Sequence, residues 1–442
     1  MIKIVHLQRW TKHFLVALSA LHVVVAAAQQ DFAPSVQMRL QQQLEASLTT
    51  SGSFGASVAV RLNGKQWLGV AGVSTLTVPV ETSMAFGIAS ITKLLAATCA
   101  MRSVEEGILV LDQTVESIVG VLPNVPDDVT IRDLLMHTSG LGDYSETEQY
   151  RTTVANTPER VWMLQDLLAL IPAKRLPAGG TFEYTNTNYL LVAAVLERLY
   201  NQPFAAIVRE RILEPSGAQT SWMGGSEVER APIAARWIAD RSGENIPIAA
   251  VMSGASAAGG MMCTAEDLGA IIETVFTGQI VRLETIDSML PPEGEVYGKG
   301  LMNLSVIRGG AYGHTGSIRG YTSVAVHVPE QQATIVVLCN RNTADPRFIA
   351  RDLMSVLYSD VVSVPSQDFT HSVVDAPFQP SESVRVFDYL GRETGMLVAT
   401  ADGNVDIGVV PAGLYMLQGA SGLKVIWHDG QNPFGNPFKR SR

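Results

Sequence analysis

Apolar residues stand four apart at Val36, Leu40, Leu44 and Leu48, and this spacing predicts a helix over residues 35–48. Residues 55–62, GASVAVRL, read as a strand. Asn63-Gly64 follows, a dipeptide suited to a tight hairpin, and residues 65–71 form the returning strand. Residues 91–106, rich in Ala and Leu and stopped by Gly107, predict a second helix. Residues 187–200 form another helix with an apolar face. Thr264 is placed to cap a helix over 265–277, where Glu266 and Asp267 suit the positive end of its dipole. The β-branched runs 321–328 and 332–340 flank Pro329-Glu330 as a hairpin, and 346–359 read as a last helix. Strands at both ends of a helix-rich middle predict an α+β fold. Its antiparallel sheet gathers both ends of the domain, is flanked by helices, and carries a mostly helical insertion.

The pattern changes at each end of the chain. Residues 1–13 carry Lys3, Arg9 and Lys12 and no acid, and residues 14–28 are mostly apolar and close on Ala26-Ala27-Ala28. This is the layout of a secretory signal removed near Ala28, and the run is short for a spanning helix. The expectation is a secreted, periplasmic or cell-surface protein. Residues 31–360 then form the main domain and 361–382, mixed in Ser, Pro and Gln, a linker. Short apolar runs at Val384–Phe387, Leu397–Ala399, Leu414–Leu417 and Leu423–Trp427 predict a small all-β sandwich over 383–428, followed by a tail, 429–442.

Composition narrows the function. The chain of 442 residues has a net charge of −10, which repels phosphate backbones and argues against nucleic-acid binding. Its 3 Cys lie far apart and read as buried free thiols, not as a disulfide scaffold. None of the 8 His forms an HExxH or a close pair, so neither a metal site nor a cofactor is expected.

Three short motifs carry candidate chemistry. Ser90-Ile91-Thr92-Lys93 opens the second helix, where positions three apart share a face, so the Lys93 amine can lie against the Ser90 hydroxyl. A hydroxyl is a poor nucleophile until a base takes its proton, and a partly desolvated lysine can be that base. Tyr184-Thr185-Asn186 supplies a second proton carrier and an amide able to bind a substrate carbonyl and hold the lysine. His314-Thr315-Gly316 lies among glycines that let a substrate backbone approach a strand edge. The N–H groups of Ser90 and of the residue after Gly316 can then form an oxyanion hole. Each motif alone has a plain reading as well: a chance tetrapeptide, a helix cap, a glycine-rich turn.

In this order and spacing the three motifs resemble the serine β-lactamase and penicillin-binding superfamily, and Y-x-N resembles its class C branch, with D-alanyl-D-alanine carboxypeptidases and D-peptidases. Further stretches agree: Phe86-Gly87-Ile88-Ala89 before Ser90, Leu134 to Leu141 (LLMHTSGL), Gly259 to Thr264 (GGMMCT), and Tyr297-Gly298-Lys299-Gly300. The resemblance spans roughly residues 35–358. It implies Ser90 as acylated nucleophile, Lys93 and Tyr184 as proton carriers, and Asn186, His314, Thr315 and Gly316 as substrate-binding residues. His137 is structural on this reading. The implied substrate is a D-Ala peptide, a β-lactam or an ester, with no metal.

The third motif has His314 where β-lactamases carry a lysine. A neutral imidazole binds a carboxylate poorly, which counts against efficient β-lactam hydrolysis, and the H-T-G form itself resembles the carboxypeptidase and peptidase side. Residues 383–428 resemble the C-terminal sorting domain of the type IX secretion pathway, carried by VRVFDYLGRE, VPAGLYML and KVI. That resemblance implies a secretion-machinery or cell-surface contact.

Overall fold

The computed structural model describes residues 30–358, apart from 174–175 and 244–245, together with four strands between residues 383 and 428. The expected signal segment 1–28, the linker 361–382 and the tail 429–442 lie outside the described residues.

Helix α1 (Pro34–Ser51) leads into β1 (Gly55–Leu62) and β2 (Lys65–Gly72). Asn63 and Gly64 turn the chain with φ of 51° and 75°. Two left-handed residues match the twist of the strands they join, which is why Asn-Gly serves there. The chain crosses the molecule in α2 (Ile91–Glu105), α3 (Ile131–Met136), α4 (Asn186–Tyr200), α5 (Ala249–Gly259) and α6 (Ala265–Phe276). It returns through β3 (Met302–Asn303), β4 (Tyr312–Ile318), β5 (Tyr321–Val328), β6 (Ala333–Cys339) and α7 (Pro346–Tyr358). In the sheet β2 lies beside β1, then β6, β5, β4 and β3, and the pair Gln30–Asp31 lies parallel on the far edge of β2. The sheet thus joins both ends of the domain, with Ala56 opposite Cys339 across the β1–β6 pair.

Strand alternation sorts the side chains onto two buried faces. Val58, Val60, Val324, Val326, Ile335 and Val337 meet Leu40 and Leu44 of α1 and Ile349 and Leu353 of α7. Ala59, Ala325, Val336 and Leu338 face the other way, against α2 and α6. Because both faces are covered, β5 and β6 are buried along their full length, and neither alternates between apolar and charged residues as a strand with one wet face does. Helix α6 contributes Leu268, Ile271, Ile272 and Val275, and Thr264 caps it by accepting from the Asp267 amide. Helix α2 is buried on all sides, so its hydroxyls bond inward: Thr98 Oγ1 donates to Leu94 O at 2.8 Å and Ser103 Oγ to Cys99 O at 2.9 Å.

Cys99, Cys263 and Cys339 are buried free thiols, each pushed up to about 12 by burial. Nearer the carboxyl end, strands β7 (Ser383–Phe387), β8 (Glu393–Val398), β9 (Gly413–Gly419) and β10 (Gly422–His428) form one antiparallel sheet in the order β8-β7-β9-β10. Among the described residues these four strands form one layer. Residues 399–412, which separate β8 from β9, lie outside the described residues.

Candidate active site

Ser90 stands at the start of α2, on a backbone that is turned sharply into the helix. Ala89 before it has φ of 51°, a conformation that costs an alanine on the order of 1 kcal/mol or more. The segment is tied on both sides: the Ile88 amide donates to Met261 O at 3.1 Å, and Ser323 Oγ donates to Ile88 O at 2.8 Å. The Ser90 side chain takes no part in capping the helix. Its amide lies in the first turn, where N–H groups have no partner within the helix.

One turn on, Lys93 is fully buried. Its Nζ donates to Ser90 Oγ at 3.1 Å, to Asn186 Oδ1 at 2.8 Å and to Ala258 O at 2.7 Å. The Ala258 carbonyl reaches it because α5 is broken at Ser256, whose φ of 44° and ψ of −135° leave the helix. Nζ also lies 4.8 Å from the centre of the Tyr184 ring. An ammonium is attracted to such a face.

Asn186 is the first residue of α4, and its amide is locked. Its Nδ2 donates to Asp143 Oδ2 at 3.0 Å and to Ser145 Oγ at 3.1 Å. Both of its N–H groups are therefore taken by the protein. Of the two roles expected of this amide, binding a substrate carbonyl and holding the lysine, the geometry displays the second: Asn186 Oδ1 accepts from Lys93 Nζ.

The third motif divides between the two faces of the sheet. His314 pairs with Ala325 and Gly316 with Ser323, on the α2 side; Thr315 pairs with Val324, on the α1 and α7 side. Thr315 is buried with its hydroxyl 3.5 Å from Met302 Sδ, so its side chain points away from Ser90, contrary to the expected substrate contact. Gly316 is bare for a different reason than expected. A Cβ there would stand 2.3 Å from Ile88 O and 2.4 Å from Ser323 Oγ, so the glycine makes room for the Ser90 segment itself. Beyond Gly313 no strand among the described residues pairs with the outer edge of β4.

His314 is fully buried and both ring nitrogens are engaged. Nδ1 lies 2.5 Å from Thr315 O, which can only accept, so Nδ1 carries the proton. Nε2 then accepts from Tyr297 OH at 3.1 Å. Burial, with the Lys93 charge in support, pushes its pKa down to about 3. The third motif presents no cation, and its imidazole is spent inside the protein.

Sequence reasoning named His137 as structural but missed that it stands behind Tyr184. His137 ends α3 in the left-handed conformation, φ 58°. Its carbonyl accepts from the Glu183 amide at 2.8 Å and its Nδ1 accepts from the Thr185 amide at 3.2 Å. Tyr184 is thereby held from both sides, with its ring 4.2 Å from the imidazole. Nε2 must carry the proton; it is buried and has no hydrogen-bond partner among the described residues. Burial, then the Lys93 charge and His314, hold His137 well below the usual range, so it is neutral. Asp143, Ser145 and Ala258 were missed as well. Asp143 and Ser145 follow directly on the HTSGL stretch, which was the available signal, whereas a backbone carbonyl such as that of Ala258 leaves none.

Residues 40–357 match the family model described as Beta-lactamase. Penicillin-binding protein 4* of Bacillus subtilis (strain 168) is 24% identical over 318 residues, 65% of this chain and 68% of that protein. The D-amino acid amidase of Ochrobactrum anthropi SV3, complexed with L-phenylalanine, is similar in structure with a TM-score of 0.64 at 24% identity, covering 74% of this chain and 100% of that one. A D-stereospecific amidohydrolase from Streptomyces sp. gives 0.62 at 24% identity over 74% and 99%. At such identities the structural likeness speaks for the fold. The family model covers well over half of the chain, and the chain therefore belongs to the beta-lactamase family of serine hydrolases.

Proposed function

We propose that the chain is an exported acyl-serine hydrolase that cleaves amide bonds beside D-residues, as a D-alanyl-D-alanine carboxypeptidase or D-peptidase. One observation carries the reading: the buried Lys93 amine is aimed at Ser90 Oγ at 3.1 Å by two further acceptors. Once its ammonium has given a proton to water, Lys93 no longer donates to Ser90 Oγ and instead takes the Ser90 proton as Oγ bonds to the substrate carbonyl carbon. The oxyanion that forms is met by N–H groups at the start of α2 and at the open edge of β4. The C–N bond then breaks, and the leaving nitrogen takes the proton back from Lys93, with Tyr184 beside it. Water repeats the sequence on the acyl-enzyme and frees Ser90.

Two things favour D-peptides over β-lactams as the natural substrate. The similar solved structures include enzymes named for D-amino acid amides and D-stereospecific hydrolysis. The third motif holds a neutral His314 where a fixed cation would serve a β-lactam carboxylate, and because a D-Ala-D-Ala terminus carries the same group, this weighs toward the D-peptidase form of the proposal. Residues 383–428 act in this proposal as the export unit.

The test is labelling with a fluorescent penicillin over time, on the native chain and on Ser90→Ala, beside turnover of D-Ala-D-Ala peptides and D-amino acid amides. The expected result is a persistent label that needs Ser90, with turnover of the D-substrates. A label that forms and vanishes within seconds would reassign the enzyme to β-lactam hydrolysis. No label and no D-substrate turnover by a folded chain would overturn the proposal.

A further inference from the structure

A neutral lysine amine has two N–H groups and one lone pair, and only the lone pair can accept the Ser90 proton. Its direction is set by whatever takes the two hydrogens. Around Lys93 these are Ala258 O, which can only accept, and Asn186 Oδ1. A backbone carbonyl is fixed, but a side-chain amide can turn over. A reversed Asn186 would present N–H groups to Lys93 and draw the lone pair to itself.

The network around Asp143 prevents the reversal. Asp143 Oδ2 accepts from the Asn186 amide at 2.9 Å and from Asn186 Nδ2 at 3.0 Å. Its Oδ1 accepts from the Ser145 amide at 2.8 Å and from Ser145 Oγ at 2.7 Å. Ser145 Oγ has spent its one hydrogen on Asp143, so toward Asn186 Nδ2, at 3.1 Å, it can only accept. Both groups facing Asn186 Nδ2 are thus acceptors. The carbonyl end of Asn186 is left to face Lys93. Resting on the reading of Lys93 as base, we infer that Asp143 is the positioning residue that aims the Lys93 lone pair at Ser90, acting through the polarity of the Asn186 amide.

The experiment reads Ser90 reactivity with a fluorophosphonate, which labels a base-activated serine whatever its natural acyl donor. Lys93 takes the Ser90 proton, the Oγ–P bond forms and fluoride leaves. Limiting rates are compared on the alkaline plateau of each variant, where the amine is neutral, together with melting temperatures. Asp143→Asn keeps the shape but replaces one of the two acceptors by a donor: toward Asn186 directly, or toward Ser145, whose Oγ hydrogen is then released to face Asn186. Its expected rate is down roughly 10²-fold, within the range of general-base effects. The double variant Asp143→Asn/Asn186→Asp restores an acceptor toward Lys93 and another toward residue 143. Its expected rate is at least about tenfold above that of Asp143→Asn alone, a coupling that independent losses do not give.

A native rate in Asp143→Asn overturns the inference. So does a double variant no faster than Asp143→Asn, because a merely structural role predicts compounding loss. If the native chain is not labelled at Ser90, Lys93 is not its base and the inference falls, whereas the penicillin and D-peptide results judge the proposed substrate separately.

Discussion

The α1 and α7 side of the sheet is buried throughout, whereas the centre around Ser90 is half-buried about a fully buried Lys93, and the two are held together by different forces. On the first, Val58, Val324, Ile335 and Val337 pack against Leu40, Leu44, Ile349 and Leu353. At the centre Lys93, Asn186, Asp143 and Ser145 are joined by directed bonds, between backbones strained at Ala89 and Ser256. Apolar packing is non-directional and tolerates a swap of similar volume. A polar network fails when one partner turns the wrong way. Stability and reactivity should therefore separate on substitution.

The largest effect that would break this contrast is at Lys93. Lys93→Met fills the volume and removes the base, so fluorophosphonate labelling of Ser90 should fall by about 10³-fold. Its melting temperature should stay within a few degrees of native by thermal scan. A collapse in stability would show that the centre also holds the fold. Leu353→Ala is the converse. Leu353 is fully buried, and its truncation should cost about 2–5 kcal/mol in denaturant unfolding. The labelling rate per folded molecule should be unchanged, and a parallel loss would join the two regions into one unit.

The smallest effect concerns acid. His327 is held down to about 4 by burial, and His314 to about 3. The native pKa values lie below the unfolded value, so the unfolded chain takes up protons first. Stability is complete above about pH 6.5 and declines as pH falls toward the native values. His327 lies outside the Ser90 centre, stacked 4.7 Å from Phe276. Replacing it by Gln should lessen the slope of unfolding free energy by about 1.4 kcal/mol per pH unit. An unchanged slope would mean that His327 is already charged in the fold.

Much of this division is legible in the sequence. The apolar periods place α1, β1, β5, β6 and α7, and Asn63-Gly64 and Thr264 mark a turn and a cap by chemistry local to those residues. The pairing of Ser90 with Lys93 is legible because helix geometry brings positions three apart together. Thr315 is instructive in the other direction. Strand alternation already requires that it face away from whatever His314 faces, so reading H-T-G as one surface neglects the period of two. The place of Asp143 beside the HTSGL stretch is legible, but its bonds to Asn186 and the protonation of His137 are not, because each depends on contacts made by distant segments. The Ala258 carbonyl belongs to a backbone group that every residue carries.

The order of strands in the sheet also bears on when the molecule becomes reactive. The bond from the Gly55 amide to Asn340 Oδ1 joins positions 285 apart, and β1 has β6 as its neighbour. Ser90 is made early in synthesis, whereas the strand carrying His314 and Gly316 is made late and lies between β5 and β3. Closing so long a loop is a late and slow event in folding. Until β6 joins β1, the turn before Ser90 lacks the Ser323 hydroxyl that holds Ile88 in place. The nascent chain thus carries its nucleophile through most of its synthesis without the frame that activates it.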